Sequence, residues 1–207
     1  MVKYSLKEVK YIASAPTVQK LPQLKDSRGK LVPEIAVIGR SNVGKSSLLN
    51  MLFQSKGLVK TSSTPGKTRG LNLFALQDVM AFVDLPGYGY AAVSDAVRQE
   101  WGPMIQGYLE KREALALIFY LFDIRRDVND EDRQLMQWFT AQNKAVILIV
   151  TKSDKISKGK IAGRCKQIVE GFQVQNLHVV PCSATTHAGR DDVLRILFDA
   201  VKNEYSS

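Results

Sequence analysis

Only two cysteines occur in 207 residues, Cys165 and Cys182. They are far apart and form no C-x-x-C pair, which excludes a disulfide framework or a thiolate zinc site. Free thiols in the reducing cytosol are expected. Two histidines, His178 and His187, lack metal-ligand spacing and read as ordinary structural or surface residues. No apolar run approaches the ~20 residues that a membrane span requires. The longest, Ala114 to Phe122, reads as a central strand. The first residues are polar and lysine-bearing without an apolar core, so no secretory signal is expected and the localisation reads as cytoplasmic. There is no internal repeat, no low-complexity segment and no RNA-binding module with its own aromatic platform. Acidic residues are in deficit, 20 against 29 Lys and Arg, which gives a formal net charge of +9 and a pI near 9.5. That surplus points to a polyanionic partner, most commonly nucleic acid, held mainly through phosphates.

What the chain does contain is Gly39-Arg40-Ser41-Asn42-Val43-Gly44-Lys45-Ser46, a G-x-x-x-x-G-K-S phosphate-binding loop, followed by Ser47. Glu34 to Ile38 before it suits a buried strand, and Ser47 to Phe53 after it has helical character. Strand, glycine-rich loop and helix N-terminus together make an anion cradle of backbone N–H groups. Lys45 can reach the β- and γ-phosphates of a nucleotide, and Ser46 can ligate Mg²⁺.

Three later segments select the nucleotide. Thr151-Lys152-Ser153-Asp154 follows the apolar run Ala145 to Val150, where ligands of open α/β sheets bind. Guanine presents an N1–H and a 2-amino group side by side, and one carboxylate accepts both, so Asp154 favours GTP and GDP over adenine nucleotides. Lys152 would lay its stem along the base. Asp84-Leu85-Pro86-Gly87 ends the run Val79 to Val83; Asp84 can hold Mg²⁺ through a water, and the Gly87 N–H can meet a γ-phosphate. Cys182-Ser183-Ala184 follows Val179 to Pro181, and the Ala184 N–H can donate to guanine O6. Between these lies the polar stretch Thr61 to Gly70, a loop that would order around γ-phosphate and Mg²⁺. It contributes Gly66, Lys67, Thr68, Arg69 and Gly70, with Thr68 chosen as the switch hydroxyl and Thr61 and Thr64 as competitors.

Strand and helix patterns alternate after residue 33, with helices expected over Asp95–Lys111, Asn129–Gln142, Gly159–Gln173 and Gly189–Lys202. Leu135, Trp138 and Phe139 share one helical face; Val193, Leu197 and Val201 share another. The expected fold is α/β, a three-layer domain with a mostly parallel sheet covered on both faces. Residues 1–31 read as a basic N-terminal extension, with Val18, Leu21 and Leu24 available to pack, an exposed turn at Lys25–Lys30 and a strand at the sheet edge; 32–207 form the nucleotide domain.

Five elements in this order resemble the translation-factor-related small GTPases. The P-loop, Thr64-Pro65-Gly66-Lys67-Thr68 and above all Asp84-Leu85-Pro86-Gly87-Tyr88-Gly89-Tyr90-Ala91 are similar to the EngB (YihA/YsxC) group of bacterial ribosome-biogenesis GTPases. The resemblance implies a Ras-like fold, a cytoplasmic GTPase acting in large ribosomal subunit assembly through rRNA and ribosomal protein, and Thr68 as the switch hydroxyl. Relatives with an asparagine at the place of Asn42 use it to help bind K⁺, which puts Asn42 beside Lys45 and Thr68 among the catalytic candidates. Two positions depart from the better-known Ras pattern. Tyr88 follows D-x-P-G where a water-positioning glutamine is usual, so intrinsic hydrolysis is expected to be slow and to need K⁺ or the ribosomal partner. Thr151 replaces the usual Asn of N-K-x-D, and its hydroxyl can still tie that loop to the P-loop. Tyr88, Tyr90 and Trp101 stand as interface anchors or as packing residues. The competing functions are a P-loop ATPase or kinase, against which Asp154 argues, and a GTPase for another partner such as the cell-division machinery. A monomer is the default.

Overall fold

The computed structural model describes residues 5–60, 70–88 and 95–205, the side chains of 95–101 and 203–205 excepted. Seven strands form one sheet: β1 (Lys10–Ala15), β2 (Glu34–Gly39), β3 (Leu71–Leu76), β4 (Met80–Asp84), β5 (Leu115–Asp123), β6 (Val146–Thr151) and β7 (His178–Pro181). Five helices accompany them: α1 (Lys45–Phe53), α2 (Asp95–Lys111), α3 (Asp130–Ala141), α4 (Lys158–Phe172) and α5 (Arg190–Tyr205). The strand order is β1-β3-β4-β2-β5-β6-β7. β1 and β4 run antiparallel to β3, and every other pair is parallel.

Period-two alternation divides the sheet between two cores. Ala36, Ile38, Ile118, Tyr120 and Phe122 face a core completed by α2, α3 and α4. Ile35, Val37, Leu117, Phe119 and Leu121 face the one completed by α1 and α5. Both faces of the central strands are thus covered, which is why residues 35–38 of β2 and 115–122 of β5 read as continuous apolar runs. The three-layer α/β architecture expected of the sequence is the one observed.

The helices begin and end within a residue or two of their expected bounds, apart from the C-terminal end of α5. On α3 the burial differs in detail: Met136 and Phe139 are fully buried, while Leu135 and Trp138 are half-buried. Met136 lies one residue from the expected stripe, and the narrower Met and Phe fill the space beneath the helix. Asn129 caps α3 through a reciprocal box, its side chain accepting from the Asp132 N–H at 2.9 Å while Asp132 accepts from the Asn129 N–H at 3.3 Å.

The chain before β2 packs on the same sheet. β1 pairs with β3 with an irregular register between Tyr11 and Ala13. Val18 and Leu21 are buried, and Leu24 packs partly against the same core. Asp26 closes the turn over residues 25–31, accepting from the N–H groups of Arg28 and Lys30 at 2.8 and 2.9 Å. The strongest tie is buried. Arg112, just past α2, makes two hydrogen bonds to Glu34 at the start of β2, 2.8 and 2.6 Å long. It also donates to the carbonyls of Leu21 and Pro22. The Tyr108 hydroxyl donates to the same carboxylate at 2.9 Å.

Candidate nucleotide and metal site

β2 places its last residue, Gly39, at the C-terminal edge of the sheet, with β4 on one side and β5 on the other. The chain then turns into α1 through Asn42 at φ +62° and Gly44 at φ +108°. The latter conformation favours glycine. No side chain caps the start of α1, and no acid lies in its first turn. The positive end of the helix dipole is therefore left for an external anion. Lys45 and Ser46 open the helix half-buried, and Ser47 is exposed. Burial holds the Lys45 ammonium below its usual pKa, and the Asp84 carboxylate opposes that shift.

The D-L-P-G segment lies directly on this loop. The Leu85 N–H donates to the Val37 carbonyl at 3.1 Å, the Ser41 N–H to the Tyr88 carbonyl at 2.9 Å, and the Ser41 hydroxyl to the Gly87 carbonyl at 3.3 Å. A Cβ at Gly87 would sit 3.0 Å from both Lys45 Nζ and Ser41 N, so the approach suits glycine. The Leu85 side chain and Pro86 are buried. The Arg40 side chain points to Glu131 on α3 at 3.0 Å, with its guanidinium 5.8 Å from the centre of the Tyr88 ring. The Arg40 side chain is thus turned toward α3.

Asp84 ends β4 at 2% exposure, and its Oδ1 has no hydrogen-bond partner. An orphaned buried carboxylate oxygen is costly, and it marks a place for a cation. With Ser46 it supplies the oxygen donors that suit Mg²⁺, so the residues present fit that ion. Burial raises the Asp84 carboxyl to about 6, against a smaller opposing pull from Lys45. A raised carboxyl pKa means that the fold prefers the neutral form: the stability so contributed is complete below about pH 4 and lost as pH rises through 6. The expected loss in nucleotide-free, Mg²⁺-free protein between pH 4 and pH 7 is on the order of 3 kcal/mol. Urea midpoints of wild type and Asp84→Asn across that range, in chelator, measure it as a pH-dependent difference. A constant difference would show that Asp84 ionises as it does in water.

Beside the cradle is a cavity of about 190 Å³ between Val43 and Gly44 of the loop, Thr151 at the end of β6, Lys152 and Asp154 just past it, and Ala184 beyond β7. The Thr151 hydroxyl donates to the Val43 carbonyl at 2.8 Å and, less closely, to Phe122 O at 3.2 Å, which joins the T-K-S-D loop to the P-loop. Lys152 Nζ donates to the Asn42 carbonyl at 2.7 Å. Ser183 is fully buried; its hydroxyl accepts from the Thr186 N–H and donates to Asp154 Oδ1 at 2.7 Å. That hydrogen bond, with Lys155 3.2 Å from Oδ2, holds the Asp154 carboxyl below the usual range. Cys182 is buried on the far wall, and burial pushes its thiol up to about 12. Ser153 is buried, its N–H donating to the Cys182 carbonyl at 3.0 Å, which sets the two base-side loops against each other.

Gly66, Lys67, Thr68 and Arg69, with the competitors Thr61 and Thr64, lie outside the described residues, as do Tyr90 and the side chain of Trp101. Gly70 enters β3 against Ala15, whose carbonyl is 2.7 Å from where a Cβ would stand. Tyr88 turns inward at 4% exposure. Its hydroxyl contacts that of Tyr120 and donates to the buried Asp132 at 2.9 Å. It is a packing residue, its hydroxyl engaged by Asp132 and Tyr120. Two contributors went unread in the sequence. Asp123, at the end of β5, is 3.0 Å from Lys152 Nζ. Arg190 donates to the Met51 and Leu52 carbonyls at the end of α1, where a cation complements the helix dipole. An Asp closing an apolar run was the available signal for Asp123, the same one that picked out Asp84.

Residues 34–152 match the family described as 50S ribosome-binding GTPase. The chain is 47% identical over 197 residues to "Probable GTP-binding protein EngB" of Protochlamydia amoebophila, covering 95% of this chain and 96% of that one. It is 46% identical over 162 residues to the protein of the same name from Geobacter metallireducens, covering 78% and 79%. Among solved structures, a probable GTP-binding protein EngB aligns with TM-score 0.66 at 20% identity, over 82% of this chain and 99% of that one, a likeness of fold. Era from Aquifex aeolicus bound to GDP·AlF4⁻ aligns with TM-score 0.67 at 25% identity, over 82% of this chain and 56% of that one.

Proposed function

Because the chain belongs to the EngB family of GTP-binding P-loop GTPases, we propose that it is a cytoplasmic, monomeric switch in assembly of the large ribosomal subunit. One observation carries the nucleotide part: a charged carboxylate, Asp154, aimed by a buried serine into a cavity whose other wall is the phosphate loop. Asp154 reads the guanine edge, the Cys182–Ala184 backbone takes O6, and Lys152 covers one face of the base. The P-loop N–H groups and Lys45 hold the phosphates. Ser46, Thr68 and Asp84 would hold Mg²⁺, which when bound would neutralise charge on the β- and γ-phosphates. Residues 66–70 would order around the γ-phosphate, which the Gly87 N–H would meet. Residues 1–31 act as an extension of the 32–207 domain, packed on it through described residues such as Val18 and Leu21. The charge of +9 and the family's description as ribosome-binding support a ribosomal partner of rRNA and protein.

Hydrolysis is slow, since Tyr88 is turned into the core and no general base stands in its place among the described residues. Asn42, exposed at φ +62° on the P-loop, would help to hold a K⁺, whose charge could do the work of an arginine finger. GTP turnover is expected to be several-fold faster in K⁺ than in Na⁺ buffer and to lose that difference in Asn42→Ala. Equal rates in the two buffers would remove the cation from the reading.

Co-sedimentation with purified large subunits tests the partner. Pelleting that favours a non-hydrolysable GTP analogue over GDP and survives moderate salt is expected. Pelleting that ignores the nucleotide and vanishes with salt would reduce the interaction to a basic protein adhering to RNA.

A further inference from the structure

We propose that Asp123 is a positioning residue for nucleotide binding, acting through Lys152 to hold one wall of the base pocket in place before the base arrives. This rests on the reading of the cavity as the guanine site. Asp123 closes β5 in register with Thr151 of β6, so its carboxylate stands one residue from Lys152 across the sheet edge. It is 5% exposed. Lys152 follows at φ +58°, a left-handed turn that sends the side chain back over the P-loop. Its ammonium is held at two points, the Asn42 carbonyl at 2.7 Å and Asp123 Oδ2 at 3.0 Å. Between those anchors and the backbone the four-carbon stem lines the cavity. A free lysine stem would lose its rotamer freedom on meeting a base. One already clamped at its tip has lost it beforehand, and binding is tighter by that amount.

Asp123 is itself held. Arg125 donates to it from its backbone N–H at 3.1 Å, from Nε at 2.9 Å and from Nη2 at 2.7 Å. The planar guanidinium fixes both oxygens, which leaves Oδ2 pointing at Lys152. Asp123 reaches no edge of the base pocket and acts only through the lysine.

The test is titration of GDP and of IDP, which lacks the 2-amino group, into wild type, Asp123→Asn, Lys152→Met, the double variant and Asp154→Asn. Asp123→Asn is expected to weaken both nucleotides about tenfold and equally, because a wall meets the face of the base and not its edge. Removing a negative charge would by itself favour an anionic ligand, so a loss reports positioning. In the Lys152→Met background Asp123→Asn should cost nothing further. An undiminished loss in that background, a loss confined to GDP, or no loss at all would overturn the role of Asp123. Unchanged discrimination between GDP and IDP in Asp154→Asn would instead overturn the guanine site on which the proposal stands.

Discussion

Asp154→Asn is expected to weaken GDP by ~10⁴-fold, because a site built around a hydrogen-bonding pair rejects a ligand that leaves it mismatched. The same substitution should admit XDP. Guanine offers two donors, and the carboxylate accepts both; xanthine replaces the 2-amino donor with a carbonyl, which needs a donor opposite. An asparagine supplies one acceptor and one donor. Which atom goes where is decided by Ser183. Its hydroxyl already accepts from the Thr186 N–H, so its own proton is committed to Oδ1 of residue 154. The asparagine oxygen must stay on that side, and the amide NH₂ takes the Oδ2 place. Lys155, 3.2 Å away there and half-exposed, can swing into water. Paired titrations of GDP and XDP measure the exchange. If XDP failed to gain as GDP lost, the carboxylate would not be reading the base edge. Ser183→Ala should produce a milder loss, since it frees the orientation and keeps the charge.

The nucleotide site was legible because its chemistry is local. A strand, a loop of fixed spacing and a helix are contiguous in the P-loop, and each later piece sits at the end of its own apolar run, where a parallel sheet collects its ligands. Thr151 was readable for the same reason: a short hydroxyl at the end of β6 meets the loop beside it, at the Val43 carbonyl. What escaped was pairing across distance. Asp123 looks like any strand terminus until β6 is laid beside it in register. Asp132 looks like an exposed helix-start acid, yet it is buried under Tyr88 and Tyr120; burial first raises both phenols well above their ordinary pKa, followed for Tyr88 by the Tyr120 phenol and then the carboxylate, and for Tyr120 by the carboxylate. Glu34 opens the run that reads as a buried strand, and nothing in that run names the groups it is buried against. Its partners stand 74 and 78 positions further on. Periodicity reports which side chains avoid water, and it does not report which polar groups have found each other out of it.

Glu34 gives the second large effect. Arg112→Met is expected to destabilise the fold by about 3–5 kcal/mol, the usual result of stripping one partner from a buried ion pair. Arg112 and Glu34 are 3% and 0% exposed at their side chains, so the surviving carboxylate has no route to water. The Tyr108 hydroxyl can still donate to it, but one neutral donor does not replace a guanidinium that made two bonds. The carbonyls of Leu21 and Pro22 lose their donors in the same step, which loosens the chain that leads from β1 into β2. Urea denaturation should show the loss as a lower midpoint with an unchanged slope, since the surface exposed on unfolding is the same. The double variant Glu34→Gln/Arg112→Met separates the charge from the contacts. It removes the buried charge, keeps an amide oxygen for Tyr108, and fills much of the guanidinium's space with a thioether. It should recover more than half of the loss, because desolvation offsets most of what a buried pair gains. If the double variant were as unstable as Arg112→Met, the damage would lie in the freed Leu21 and Pro22 carbonyls, and the arginine would be holding the N-terminal segment in place more than it neutralises Glu34.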